Sequence, residues 1–182
     1  MRVISGLAGG HNLKAPSGLN TRPTADKVKG SLFSMLTGRV FGTKALDLFA
    51  GSGALGIEAL SREAAMCVFV DKNPDAIACI KANLEHTKLL PKAQVLNRDS
   101  ISFLESCTDT FDIIFIDPPY HHGLAKEALG IIARKKLLSR EGFVSVETDE
   151  TEPEIPVPEG LECIKNKKYG RISLKIYKNS ID

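Results

Sequence analysis

The chain has 182 residues, 43% hydrophobic and 25% charged, with a net charge of +2, which is enough for one domain around a single core and ordinary for a soluble globular protein. No apolar run reaches membrane-spanning length and the start MRVISGLAGG lacks the long apolar core of a signal peptide, so a cytoplasmic protein with no membrane partner is expected. The four cysteines, Cys67, Cys79, Cys107 and Cys163, are scattered, with no C-x-x-C pair and no histidine at ligand spacing, which argues for free thiols and against a metal site.

In chain order, residues 1–20 hold Gly6, Gly9, Gly10, Pro16 and Gly18 between the short apolar pieces Val3-Ile4 and Leu13, predicting a short hairpin or arm. Pro23 ends extended chain, Thr24 can cap, and Val28, Leu32, Met35 and Leu36 fall at helical spacing. Arg22, just ahead of that helix N-terminus, does not complement the helix dipole, so it is either an ordinary surface arginine or placed for an anion or substrate. Ala45, Leu46, Leu48 and Phe49 form a nearly unbroken apolar run, suited to a strand buried on both faces of a parallel sheet. Ala50-Gly51-Ser52-Gly53 is too flexible to continue it, and from Ala54 the composition turns helical.

Met66–Val70 is a second buried strand ending at Asp71; Asn73 as cap, Pro74 and Asp75 then make a strong helix start, with Ile77, Ile80 and Leu84 as its buried stripe. Ala93–Leu96 is a short third strand, followed by Asn97-Arg98-Asp99-Ser100 and a helix to about Ser106. Phe111–Ile116 is the fourth strand and ends in Asp117-Pro118-Pro119-Tyr120. A helix over about Leu124–Lys136 and a fifth strand, Phe143–Val146, follow. After an acidic, proline-rich loop from Glu150 to Gly160, Leu161–Ile164 and Arg171–Tyr177 form a closing hairpin. In its second run Ile172, Leu174 and Ile176 alternate with Ser173, Lys175 and Tyr177, which predicts a strand with one polar face. Alternating strand and helix predict a doubly wound α/β sheet that takes ligands above the C-terminal strand ends.

Strand, glycine turn and helix around Gly51 make a nucleotide cradle, because the free N–H groups of a first helical turn face whatever lies above the strand end. Gly51, Gly53 and Gly56 fit G-x-G-x-x-G, and Asp71 lies 20 residues past Gly51, where a dinucleotide fold keeps its ribose-binding acid. A dehydrogenase and an S-adenosylmethionine (SAM) methyltransferase both want this arrangement. Asp71, Asp99 and Asp117 each follow a buried strand, so the topology predicts that they converge on one ligand; singly, each also suits a helix cap. Asp117-Pro118-Pro119-Tyr120 separates the two ligands. Two prolines fix φ and remove two donors, leaving a carboxylate and a rigid carbonyl that accept both hydrogens of an exocyclic amine. That grip turns the nitrogen lone pair toward an incoming methyl, and Tyr120 offers a face for an extruded base. A dehydrogenase has no use for such a loop. His11, His86, His121 and His122 receive no role.

Charge is unevenly spread. Residues 1–40 carry six basic side chains against one acid, residues 161–182 six against two, and the middle 12 against 19. Basic ends on an acidic body suit a polyanion-binding rim, or simply solvated lysines.

From end to end the chain resembles the RsmD family of bacterial small-subunit (16S) ribosomal RNA guanine-N2 methyltransferases. The matching pieces are MRVISG, RPTADKVKGSLF, LDLFAGSGALGIEALSR, FVDKNPDA, the Asp99 turn, FDIIFIDPPY and the basic final hairpin. The resemblance implies a Rossmann-like, SAM-dependent, mostly parallel seven-stranded sheet with a C-terminal antiparallel hairpin, in one domain over 1–182 whose residues 1–40 form an extension covering the site. It implies methylation of a guanine N2 in small-subunit RNA or an assembling 30S particle, by a monomer. Asp117, Pro118 and Tyr120 would grip and stack the guanine; Gly51, Gly53, Asp71, Lys72, Asp99 and Ser100, with Asp47, would hold SAM. Arg22, Thr24, Lys27, Lys29 and Pro119 would meet the substrate. The chain departs from the family at Lys29 and Gly30, where Arg and Glu are frequent. D-P-P-Y is shared with DNA adenine methyltransferases, but those usually carry a separate recognition domain for which 182 residues leave no room. The alternatives are an adenine-N6 enzyme acting on DNA or RNA, or a non-catalytic RNA-binding module that keeps a SAM pocket.

Overall fold

The computed structural model describes residues 1–16 and 23–180, with backbone alone at 23–25. Its elements are α1 (Pro23–Met35), β1 (Lys44–Leu48), α2 (Ala54–Ser61), β2 (Met66–Asp71), α3 (Pro74–His86), β3 (Ala93–Asn97), α4 (Ser100–Ser106), β4 (Phe111–Ile116), α5 (Leu124–Lys135), β5 (Leu138–Asp149), β6 (Leu161–Tyr169) and β7 (Ile172–Asn179). One seven-stranded sheet has the order β3-β2-β1-β4-β5-β7-β6. β1 to β5 run parallel, whereas β7 is antiparallel to both β5 and β6. The order reverses between β1 and β4, the switch point at which such sheets open a ligand crevice.

Alternation along the strands feeds two cores. Ala45, Cys67, Phe69, Ile113 and Phe115 face Phe33 of α1 and Leu36 just after it, Ile57 and Leu60 of α2, and Ile80 and Leu84 of α3. Leu46, Leu48, Val68, Val70, Ile114 and Ile116 face Leu104 of α4 and Leu129 and Ile132 of α5. Near-continuous apolar strands are what two covered faces require. At Gly56 an added Cβ would lie 2.3 Å from the Phe69 ring and 2.7 Å from Cys67 Sγ, so this glycine lets α2 lie directly on β2.

Residues 1–16 form a hairpin, with Val3 N–H donating to His11 O and Leu13 N–H to Met1 O. It runs along α2: its tip is bound at Ser61, where Leu7 N–H reaches the carbonyl and Ala8 N–H the hydroxyl. Its far end meets Asn83, which accepts from Lys14 N–H and donates to Ser52 O. The fastener is Glu58, 0% exposed. Its carboxylate accepts from Ile4 N–H at 2.7 Å, Ser5 N–H at 3.1 Å and Arg62 Nε at 2.8 Å. Lys29 lies 3.4 Å from Glu58 Oε2 and donates to Arg2 O at 2.6 Å.

Three sequence expectations change. β5 extends well beyond Phe143–Val146 at both ends, and β6 continues to Tyr169 before a tight turn at Gly170, whose φ is +60°. The polar face expected of β7 is largely covered: Ser173 is buried, Lys175 is only partly exposed and Tyr177 is wholly buried in the second core. Glu58→Ala should cost about 3–5 kcal/mol, because it strands Lys29 in the interior along with several N–H donors. Urea denaturation measures this, and a loss under about 1 kcal/mol contradicts the fastener role.

Candidate active site at the strand ends

The site begins at the end of β1. Phe49 takes φ +57°, a conformation costly for an aromatic residue, and Gly51 and Gly53 follow at +56° and +77°. An added Cβ on Gly51 would find only Phe49 O, at 3.9 Å, so open space lies over this glycine. Gly53 caps α2 without a side chain, so among the described residues only the Gly56 group of the first helical N–H groups is taken, by Asp47. Two carboxylates hold the turn. Asp71 Oδ2 accepts from Gly51 N–H at 2.9 Å and Oδ1 from Asn73 N–H at 2.8 Å. Asp47 accepts from Gly56 N–H at 2.8 Å.

Asp47 is 2% exposed, so it shapes the turn from beneath and is not presented to a ligand. Burial, against the Gly56 hydrogen bond and with the Asp71 charge adding to it, pushes its pKa up to about 8. Asp99 is the cap of α4, accepting from Ser102 N–H at 2.9 Å, and that bond holds its pKa below the usual carboxylate range. Ser100 is buried, and its hydroxyl accepts from Phe49 N–H at 3.3 Å. It therefore ties α4 to the strained residue above β1. Lys72 is exposed next to this group.

Leu48 pairs with Ile116, so Asp117-Pro118-Pro119-Tyr120 leaves the sheet one strand away from the glycine turn. The expected convergence of Asp71, Asp99 and Asp117 becomes a row: Asp71 and Asp99 on the β2–β3 side of the turn and Asp117 on the β4 side. Asp117 stands at the crevice mouth with an exposed edge, while protein surrounds its other sides. That surrounding protein, then the Glu147 and Asp47 carboxyls, hold its pKa well above the ordinary value. Pro118 is buried, and Pro119 is exposed. Tyr120 is half-buried, and its hydroxyl donates to Glu147 Oε1 at 2.7 Å. Burial and the neighbouring Glu147 push its pKa up, so it stays a neutral phenol.

Glu147 was not foreseen. It directly follows the buried Ser145-Val146 of β5, the same position after a buried stretch that singled out Asp71 and Asp117; the strand's true length hid it. Among the expected substrate contacts, Lys29 is corrected: at 4% exposure, paired with Glu58, it secures the N-terminal hairpin and faces no substrate. Burial above all lowers its pKa, with Glu58 opposing. Lys27 is exposed on α1; Arg22 and the Thr24 side chain lie outside the described residues. The basic C-terminal hairpin is partly neutralised within the fold, as Lys168 meets Glu150, Arg171 Asp149, Lys175 Glu154 and Lys178 Glu162. Among the described residues no cluster of side chains suits a metal, and no helix is long and apolar enough to cross a membrane.

The family described as Conserved hypothetical protein 95 matches residues 1–178. The chain is similar to YlbH of Bacillus subtilis (strain 168), at 43% identity over 98% of each chain. It is similar to "Ribosomal RNA small subunit methyltransferase D" of Haemophilus influenzae, at 36% identity over 98% of this chain and 94% of that one. Among solved structures, yhhF from Escherichia coli superposes with a TM-score of 0.88 at 32% identity, covering 100% of this chain and 99% of the other.

The raised Asp47 pKa has a sign. Between about pH 4 and pH 8 the folded state keeps a proton that the unfolded chain has lost, so stability falls as pH rises through that window. Asp47→Asn keeps an acceptor for Gly56 N–H but cannot ionise, and urea unfolding at pH 5 and pH 8 should show a flatter decline. An unchanged slope contradicts the burial of this carboxyl.

Proposed function

The chain belongs to the Conserved hypothetical protein 95 family, the RsmD type, and we propose that it is a SAM-dependent methyltransferase that modifies the exocyclic N2 of a guanine in small-subunit ribosomal RNA. The observation carrying this reading is the Leu48–Ile116 pairing, which brings an amine-gripping loop alongside a nucleotide cradle. The names of relatives support the RNA substrate.

The residues fit the cofactor. Gly51 leaves room at the backbone, Gly53 turns the chain into α2 at positive φ, Asp71 suits the ribose hydroxyls, and Lys72, Asp99 and Ser100 would meet the adenosine. Bound there, SAM supplies an electrophilic methyl on a sulfonium that becomes neutral on transfer. The protein's part is alignment. Asp117 and the Pro118 carbonyl accept the two amine hydrogens, so the nitrogen lone pair leaves conjugation with the ring, and Tyr120 stacks on the extruded base. Fixed acceptors aimed at the nitrogen also stabilise the positive charge that develops there. No strong base is needed, because the methylated nitrogen is acidic before it loses a proton, and Asp117 is placed to take it. Exposed Lys27 on α1 and Lys165 and Lys167 on β6 supply cations for the RNA backbone. A cytoplasmic monomer acting on the RNA or the assembling 30S particle completes the proposal.

S-adenosylhomocysteine at 100-fold its Kd should stabilise the protein by roughly 2.7 kcal/mol in thermal unfolding, and NADH should not. Tritiated SAM should label small-subunit RNA from a strain lacking the gene. Asp117→Ala should abolish labelling while retaining the S-adenosylhomocysteine shift. Label recovered on adenine would replace the guanine reading with the adenine-N6 alternative, and RNA binding without any labelling would favour a non-catalytic module.

A further inference from the structure

Glu147 is the one acid at the strand ends left without a task in the mechanism. Ile116 of β4 pairs with Val146 of β5, so Asp117 and Glu147 follow side by side in register. Val144 and Val146 belong to the core under α4 and α5, and alternation turns Glu147 to the opposite face of the sheet. On that face lie Phe115 and, by the same alternation, Asp47. Tyr120 occupies only Oε1 of Glu147. Two neighbouring carboxylates beside the Tyr120 ring therefore present a row of acceptors with no cation paired to them among the described residues.

A row of acceptors is a template for a row of donors. The edge of guanine carries N1–H beside its N2 amine, two adjacent donors; adenine carries a bare N1 beside its amine, which would point a lone pair at a carboxylate. We propose that Glu147 is the specificity residue of this site, its carboxylate accepting guanine N1–H while Asp117 and the Pro118 carbonyl hold the N2 amine. This selection presupposes the guanine-N2 chemistry proposed above. The electrostatics agree: burial raises the pKa of both Asp117 and Glu147, and the Glu147 charge raises that of Asp117 further, while N–H donors delivered by the right base favour their charged forms. An unpaired lone pair from the wrong base leaves that repulsion in place, which is discrimination by penalty as well as by attraction.

The test uses small-subunit particles carrying guanine or 2-aminopurine at the mapped methylation position. 2-Aminopurine keeps the amine at C2 but has a bare N1. The wild-type protein should favour guanine by about tenfold or more in kcat/KM, the scale of one hydrogen bond to a charged group. Glu147→Gln, whose amide can donate to a bare N1, should bring the two substrates within about threefold of each other. Tyr120→Phe, which removes only the hydroxyl contact, should slow both alike and keep the preference. An unchanged S-adenosylhomocysteine-induced rise in Tm shows that the Glu147→Gln variant is folded. Retention of the wild-type preference by Glu147→Gln, or its loss in Tyr120→Phe, overturns the assignment. Wild-type protein that labels no guanine at all overturns the guanine-N2 reading itself.

Discussion

The parallel pairing of β1 with β4 is the constraint on which the remainder depends. It sets Leu48 against Ile116, and so places a glycine turn and a proline turn on adjacent strand ends at the point where the sheet reverses its order. Neither turn is informative alone: G-x-G-x-x-G holds many nucleotides, and a D-P-P-Y tetrapeptide can simply end a strand. Side by side they set a nucleotide-cradle geometry and a carboxylate–proline turn on neighbouring strand ends, about 4.8 Å apart across the sheet.

Carboxylates meet two different fates in this molecule. Glu58 is as buried as a side chain can be, yet Lys29, Arg62 and two N–H groups of the hairpin surround it. Among the described residues Asp47, Asp117 and Glu147 have no cation paired with them, and the charges of Glu147 and Asp47 raise the pKa of Asp117. The first arrangement is structural, for every charge has a partner. The second leaves polar capacity unspent at an open crevice, which is the usual mark of a binding site. Asp47 belongs to the second group electrostatically but not by access, because Gly56 N–H holds it beneath the turn.

Strain and packing meet in the same few residues. Phe49 at positive φ is held between its own Ser100 contact and the Gly51–Asp71 bond, while Gly56 lets α2 close on Phe69. The glycines thus serve two needs, open space above the strand at Gly51 and close packing below it at Gly53 and Gly56.

The elements themselves were legible in the chain. Apolar runs of strand length, caps such as Asn73-Pro74 and the turn glycines act through neighbours in sequence, and β1 to β4 and α2 to α5 fall close to where those signals put them. The places of Gly51, Asp71 and Asp117 were legible for the same reason, since they sit at or just past strand ends. Lys29 was not: only the stacking of α1 and the hairpin against α2 decides that this lysine meets Glu58 and never reaches solvent. Glu147 was not, because a place opposite Asp117 is a property of β4–β5 register, and register forms between segments distant in the chain. Nor was the covered face of β7, for alternation tells which residues share a side but not what lies over it. Local conformation follows from local chemistry; which charge finds which partner follows only once the strands have paired.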